Sequence, residues 1–178
     1  MSLYKQVLTT FILLYATSCT EDKKAPDSQN AYFDIRGFFT TEAARLAKQD
    51  PLITKRVEHN DDAEEKKLKV RDWKQELDLF ISSDINKPSW KDSYTTTRDG
   101  NVTTYAATDT NLKVQKIRLE RTGKKISAIE ISNRVDNEIY RSTETLTYYP
   151  DSLYRIVKRQ DVRGLGLNNY SISGKIKP

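Results

Sequence analysis

The fold is read from Glu138-Ile-Tyr-Arg-Ser-Thr-Glu-Thr-Leu-Thr-Tyr-Tyr149, Pro150-Asp151-Ser152 and Leu153-Tyr-Arg-Ile-Val-Lys-Arg-Gln-Asp-Val-Arg163. Two long runs rich in Tyr, Thr, Ile and Val flank a short Pro-Asp turn that leaves no room for a helical crossover. Such a pair reads as an antiparallel hairpin. The same grammar repeats on both sides. Turn signals stand at Arg98-Asp99-Gly100-Asn101, Asp109-Thr110-Asn111, Thr122-Gly123, Asp136-Asn137 and Gly164-Leu165-Gly166. The segments between them, 90–97, 102–108, 112–121, 125–133 and 168–176, carry the same β-forming residues, so the reading is a meander of about seven strands. Within two strands the apolar parity shifts. Leu112 and Val114 are on one parity, Ile117 and Leu119 on the other, and Ile126 gives way to Ile129 and Ile131. A bulge, or a strand buried on opposite faces along its length, produces such a shift, and strands of this kind imply a curved sheet.

Upstream, Phe33, Ile35, Phe38, Phe39, Ala43, Leu46 and Ala47 recur at helical spacing until Asp50-Pro51 stops them. A strand over 52–58, a turn at His59-Asn60-Asp61-Asp62 and a returning strand over 63–70 follow. Asp72 then opens a second helix, with Gln75 three residues later as in a capping box and an apolar face of Trp73, Leu77, Phe80 and Ile81. Both Phe-rich stripes need a sheet to cover them. The expected fold is α+β: two helices packed on a curved antiparallel β-sheet of about seven to nine strands, in a single domain over residues 31–178. Trp73 and Trp90 are expected to seal the helix–sheet core.

Residues 19–178 are enough for one domain with a real core. Ten Tyr, five Phe and two Trp can fill it, and a lone cysteine excludes an internal disulfide. The net charge of +5 is unevenly spread. Residues 20–111 carry 15 Lys/Arg against 18 Asp/Glu, whereas residues 112–178 carry 14 against 7. The basic half suits an anionic surface, although solvated strands also carry Lys and Arg as a guard against edge aggregation.

Residues that carry chemistry are few. His59 is the only histidine and lies in an acidic turn, so it has no partner pattern for a catalytic zinc site. The acids Asp61, Asp62, Glu64 and Glu65 lack calcium-loop spacing. No serine stands in a Gly-x-Ser-x-Gly elbow, and Gly164-Leu165-Gly166 lacks the rest of a dinucleotide fingerprint. No catalytic residue, metal ligand or cofactor is nominated. The tyrosines suggest more. Tyr140, Tyr148, Tyr149, Tyr154 and Tyr170 fall on neighbouring strands of the basic half, close in sequence to Arg141, Arg155, Lys158 and Arg159. Tyr154, Arg155, Arg159 and Tyr170 are the candidate face for an anionic ligand, because Tyr rings and guanidinium groups stack on sugars and pair with anions. Ordinary cross-strand packing is the competing reading.

The N-terminus says where the chain resides. Lys5 precedes the apolar run Val7–Ala16, then come Thr17, Ser18 and the sole cysteine, Cys19, and the polar Thr20-Glu21-Asp22-Lys23-Lys24 follows. The run is too short to span a bilayer and has the layout of a secretory signal. It resembles the lipobox of bacterial lipoproteins, with Ala16 where Leu is usual. The resemblance implies a signal peptide over 1–18, acylation of Cys19, and a lipidated tether over 19–30. Thr20, rather than Asp, after the cysteine implies delivery to the outer membrane. Two or three acyl chains anchor a protein stably.

The expected function is that of a cell-envelope lipoprotein with a non-enzymatic binding or assembly role. Its partners would be the membrane, through Cys19, and an anionic glycan or lipid; nucleic acid is not expected for an exported chain. One alternative is a carrier of lipid or another hydrophobic ligand, since helices on a curved sheet resemble the half-barrel carriers of the periplasm. A second is an envelope hydrolase using a carboxylate pair. An apolar cavity between helices and sheet would favour the carrier.

Overall fold

A computed structural model describes residues 30–176, in which nine strands join in one antiparallel sheet. The strands are β1 (Leu52–His59), β2 (Asp62–Lys69), β3 (Tyr94–Asp99), β4 (Val102–Ala107), β5 (Val114–Thr122), β6 (Lys125–Asp136), β7 (Tyr140–Tyr149), β8 (Leu153–Val162) and β9 (Gly166–Ile176). Their order is β2-β1-β9-β8-β7-β6-β5-β4-β3, so the sheet does not close on itself. The meander from β3 to β9 follows the chain. The early hairpin β1–β2 then docks on its last strand, pairing Ile53 with Ile176 and His59 with Tyr170. β2, sequence Asp-Ala-Glu-Glu-Lys-Lys-Leu-Lys, forms one edge and is almost wholly exposed. Charge on an edge strand discourages pairing with other chains.

The expected parity shift in β5 is a pair of register irregularities against β6, at Val114/Lys116 and Glu120/Arg121. The extra residue lets Val114 and Ile117, which differ in parity, both reach the core. Val114 then faces Asn133, and Ile117 faces Ile131.

Helix α1 runs over Ile35–Gln49, capped by Asp34, whose carboxylate accepts from the Gly37 amide at 2.8 Å. Asp50 ends it in the left-handed conformation. The expected second helix is instead two single turns, α2 (Trp73–Glu76) and α3 (Asp78–Ile81), which break at Leu77. Asp72 caps α2 by accepting from the amides of Lys74 and Gln75. The apolar spacing still holds, because Trp73, Leu77, Phe80 and Ile81 are all buried. The strand expected over 90–97 begins only at Tyr94, after a 3-10 turn at Pro88–Trp90. Among the described residues no helix is long and apolar enough to cross a membrane.

The helices and the sheet share one core. Phe39, Phe80 and Tyr148 meet with ring centroids 4.7–6.1 Å apart. Trp73 stands edge-on to Tyr154. Two expectations are corrected here. Phe38 is only half-buried, because α1 turns Ile35, Phe39, Ala43 and Leu46 inward. Trp90 is also half-buried, against Tyr94 at the margin of the core, while Trp73 is fully enclosed.

Candidate binding row on the helix side of the sheet

The four residues expected to form one anionic-ligand face lie apart. Side chains on a strand alternate between faces. In β8, Tyr154 and Ile156 are buried toward the helices, so Arg155 and Arg159 point to the opposite, solvated face. Tyr170 is the cross-strand neighbour of Lys158 and therefore shares the helix side with Tyr154, but at a different height along the strands.

Tyr154 is a structural latch. Its hydroxyl donates to Glu76 Oε1 of α2 at 2.5 Å, and Lys55 of β1 pairs with the same carboxylate at 2.7 Å. Tyr148, directly across from it in β7, repeats the device. Its hydroxyl donates to Glu42 Oε2 of α1 at 2.6 Å, and Arg45 bridges Glu42 to Asp151. Burial, then the acceptor carboxylate, raises both tyrosine pKa values far above the usual range. Burial beside Tyr32 pushes Tyr94 up to about 12. The neutral phenols of Tyr148 and Tyr154 fasten helices to sheet, whereas Tyr94 donates to the Val114 carbonyl of β5 within the sheet.

A different set of residues comes together further along the same face. Four strands carry apolar side chains or glycine under the helices and then turn polar at one height, and β1, interrupted by Lys55, reaches the same height at His59. In β6 the inward series is Ile129, Ile131, Asn133; in β7 it is Tyr148, Leu146, Glu144; in β8 it is Tyr154, Ile156, Lys158. In β9 it is Gly174, Ile172, Tyr170, and in β1 Ile53, Lys55, Val57, His59. The register places Asn133, Glu144, Lys158, Tyr170 and His59 side by side, with Asp62 of β2 beyond. At about 4.8 Å between strands, the row from β6 to β1 is about 19 Å long.

Its contacts run from buried to exposed. Asn133 Nδ2 donates to Ser83 Oγ at 3.2 Å and to Glu144 Oε2 at 3.3 Å. Lys158 Nζ lies 3.4 Å from Glu144 Oε1. Asn133 is 3 % exposed and Glu144 8 %, whereas Tyr170 is 37 % exposed. Tyr170 stacks flat on His59, with centroids 4.5 Å apart and planes 4° from parallel. Asn133 Oδ1 is buried and has no hydrogen-bond partner among the described residues. Such an atom costs about 1–3 kcal/mol unless something satisfies it. Ser142, Gln160 and Asn168 form a second polar row beside the first.

The arrangement presents closely spaced donors and acceptors on a fixed sheet, which suits a polar, extended ligand. Among the described residues no three His, Cys, Asp or Glu side chains are placed to hold a metal ion. Sequence reading missed Asn133 and Glu144 and placed Lys158 only as a neighbour. The signal was present: a polar residue standing on the apolar parity of its strand, repeated on adjacent strands.

The surface grooves lie at the margins. One of about 450 Å³ is lined by Leu68, Val70, Asp72 and Gln75. Another of about 340 Å³ lies at the Tyr140 end of β7, with Arg141 and Arg163. A third, about 290 Å³, lies where the described chain begins. Trp73, Phe39, Phe80, Tyr148 and Tyr154, each with less than about 2 % exposure, fill the helix–sheet interface. Comparison of the chain with family models, curated proteins and solved structures gives no match.

Proposed function

We propose that this chain is a lipid-anchored protein of the cell envelope, held at the outer membrane through Cys19, whose domain binds a glycan without acting on it chemically. Cys19 lies outside the described residues, and the anchoring half of the reading rests on the signal layout around it. The binding half rests on one observation: the row Asn133–Glu144–Lys158–Tyr170–His59 places a hydrogen-bonding side chain on five adjacent strands at one height. A polyhydroxylated polymer lying across the strands meets Lys158, Tyr170 and His59, while the buried pair Asn133 and Glu144 holds the Lys158 ammonium in place from behind. The excess positive charge of residues 112–178, though Arg155 and Arg159 face away from the row, draws an acidic polymer to the domain by long-range attraction, and the row itself contributes Lys158. The filled helix–sheet interface supports surface binding over an internal hydrophobic carrier.

The test is a binding titration with acidic and neutral envelope polysaccharide fractions. Lys158→Ala with Tyr170→Ala should weaken binding at least tenfold, and Arg155→Glu with Arg159→Glu, on the far face, should alter it only slightly. The reverse order would place binding on the far face and overturn the proposal.

A further inference from the structure

The described chain begins at Asn30, and its exit point is fixed. Asn86 holds it in both directions: Tyr32 N donates to Asn86 Oδ1 at 3.0 Å, and Asn86 Nδ2 donates to the carbonyls of Tyr32 and Phe33 at 3.2 and 3.1 Å. The Tyr32 hydroxyl donates to the carbonyl of Lys91 at 2.5 Å. The loop from Asn86 to Lys91 is therefore tied to the place where the tether enters. Lys87, Pro88 and Ser89 on it are exposed, as is Lys91. Lys87 Nζ sits 3.9 Å over the ring of the half-buried Trp90. Asn30, Tyr32, Lys87, Pro88 and Lys91 line the groove of about 290 Å³.

We infer that this loop is where the domain rests on an anionic phospholipid surface. The inference rests on the lipid-anchor reading above. The tether of that reading spans residues 19–30, so the surface where the described chain begins is the part of the domain next in sequence to the acyl anchor. It presents two lysine ammonium groups with a tryptophan between them, the pairing that suits the phosphate level of a membrane. Of the acids next in sequence to these segments, Asp84 is engaged by Arg36 and by the Asn86 amide, Asp34 caps α1, and Asp92 is exposed beside Lys91.

The test uses protein purified from its host membranes and reconstituted into vesicles of zwitterionic lipid, with or without about one-third anionic phosphatidylglycerol, using brominated chains as quenchers of Trp fluorescence. Trp73 is enclosed, so quenching reports Trp90. Anionic vesicles should quench at least twice as strongly as zwitterionic ones. The difference should vanish at 1 M salt, where the screening length is about 3 Å, and in Lys87→Glu with Lys91→Glu. Equal quenching in both lipids, or an unchanged difference in the double variant, would overturn the inference. Mass analysis of the N-terminal peptide separately reads whether Cys19 carries acyl chains. If it does not, the same chain coupled through its only thiol to a maleimide lipid still gives the docking readout.

Discussion

The ring of Tyr154 lies over the backbone of its cross-strand neighbour Gly174 so closely that a Cβ at 174 would stand 2.1 Å from Cε1 and 2.4 Å from the hydroxyl. The absent side chain on β9 is what lets the phenol cross that strand and reach Glu76 beside Lys55 of β1. Gly174→Ala should therefore act as an overpacking change, typically costing about 1–3 kcal/mol. For a domain of this size, a loss of 1 kcal/mol lowers the melting midpoint by about 2–4 °C. An unchanged midpoint would mean that Tyr154 is not fastened as described.

Alkaline titration should separate the tyrosines. Folding raises the pKa of Tyr94, Tyr148 and Tyr154, mainly by burial. A raised pKa contributes stability that is complete below the unfolded value of about 10 and is lost as pH rises above it. Stability should fall above about pH 10, and the tyrosinate absorbance of these three should appear only as the chain unfolds. Tyr154→Phe should make the decline shallower. Ionisation of all the tyrosines in a single step before unfolding would contradict the buried latches.

The two Phe-rich stripes should differ in weight. Phe80 is fully buried, and Phe80→Ala should cost about 3–5 kcal/mol. Phe38 is half-buried at the rim of α1, so Phe38→Ala should cost clearly less. Thermal melts of the two variants decide this, and equal losses would mean that α1 is rotated from its described position.

Lipidation is tested in the native host. Wild type should partition into detergent and incorporate labelled palmitate, and Cys19→Ala should do neither. Palmitate on the alanine variant would end the anchor proposal.

The strands were legible because Thr, Tyr and Ile runs alternate with Gly, Asn and Asp turns, and nearly every boundary falls within a few residues of its expected place. The parity shift around Val114 and Ile117 even foretold the irregular pairing of β5 with β6. The break at Leu77 was not legible, since apolar spacing over 73–81 is the same for one helix as for two successive turns. The Tyr–Arg face failed for a simpler reason. Tyr154 and Arg155 are adjacent in sequence, and on a strand adjacency means opposite faces. The polar row needed the register of five strands, and no sequence pattern gives register between β9 and β1, which are separated by more than a hundred residues.

Removing Lys158 alone should uncover how much the row depends on its buried acid. Glu144 would keep only the Asn133 amide, so Lys158→Met should destabilise the fold more than Lys158→Met combined with Glu144→Gln. Urea midpoints measure the difference. A double variant less stable than the single would show that the ion pair does not organise the row.

The most direct measurement of the central claim is amide chemical-shift mapping of the domain during titration with an acidic envelope polysaccharide. The account predicts shifts concentrated at His59, Asn133, Glu144, Lys158, Asn168 and Tyr170. Shifts confined to Arg155, Arg159 and their neighbours on the opposite face, or no shifts at saturating polymer, would contradict it.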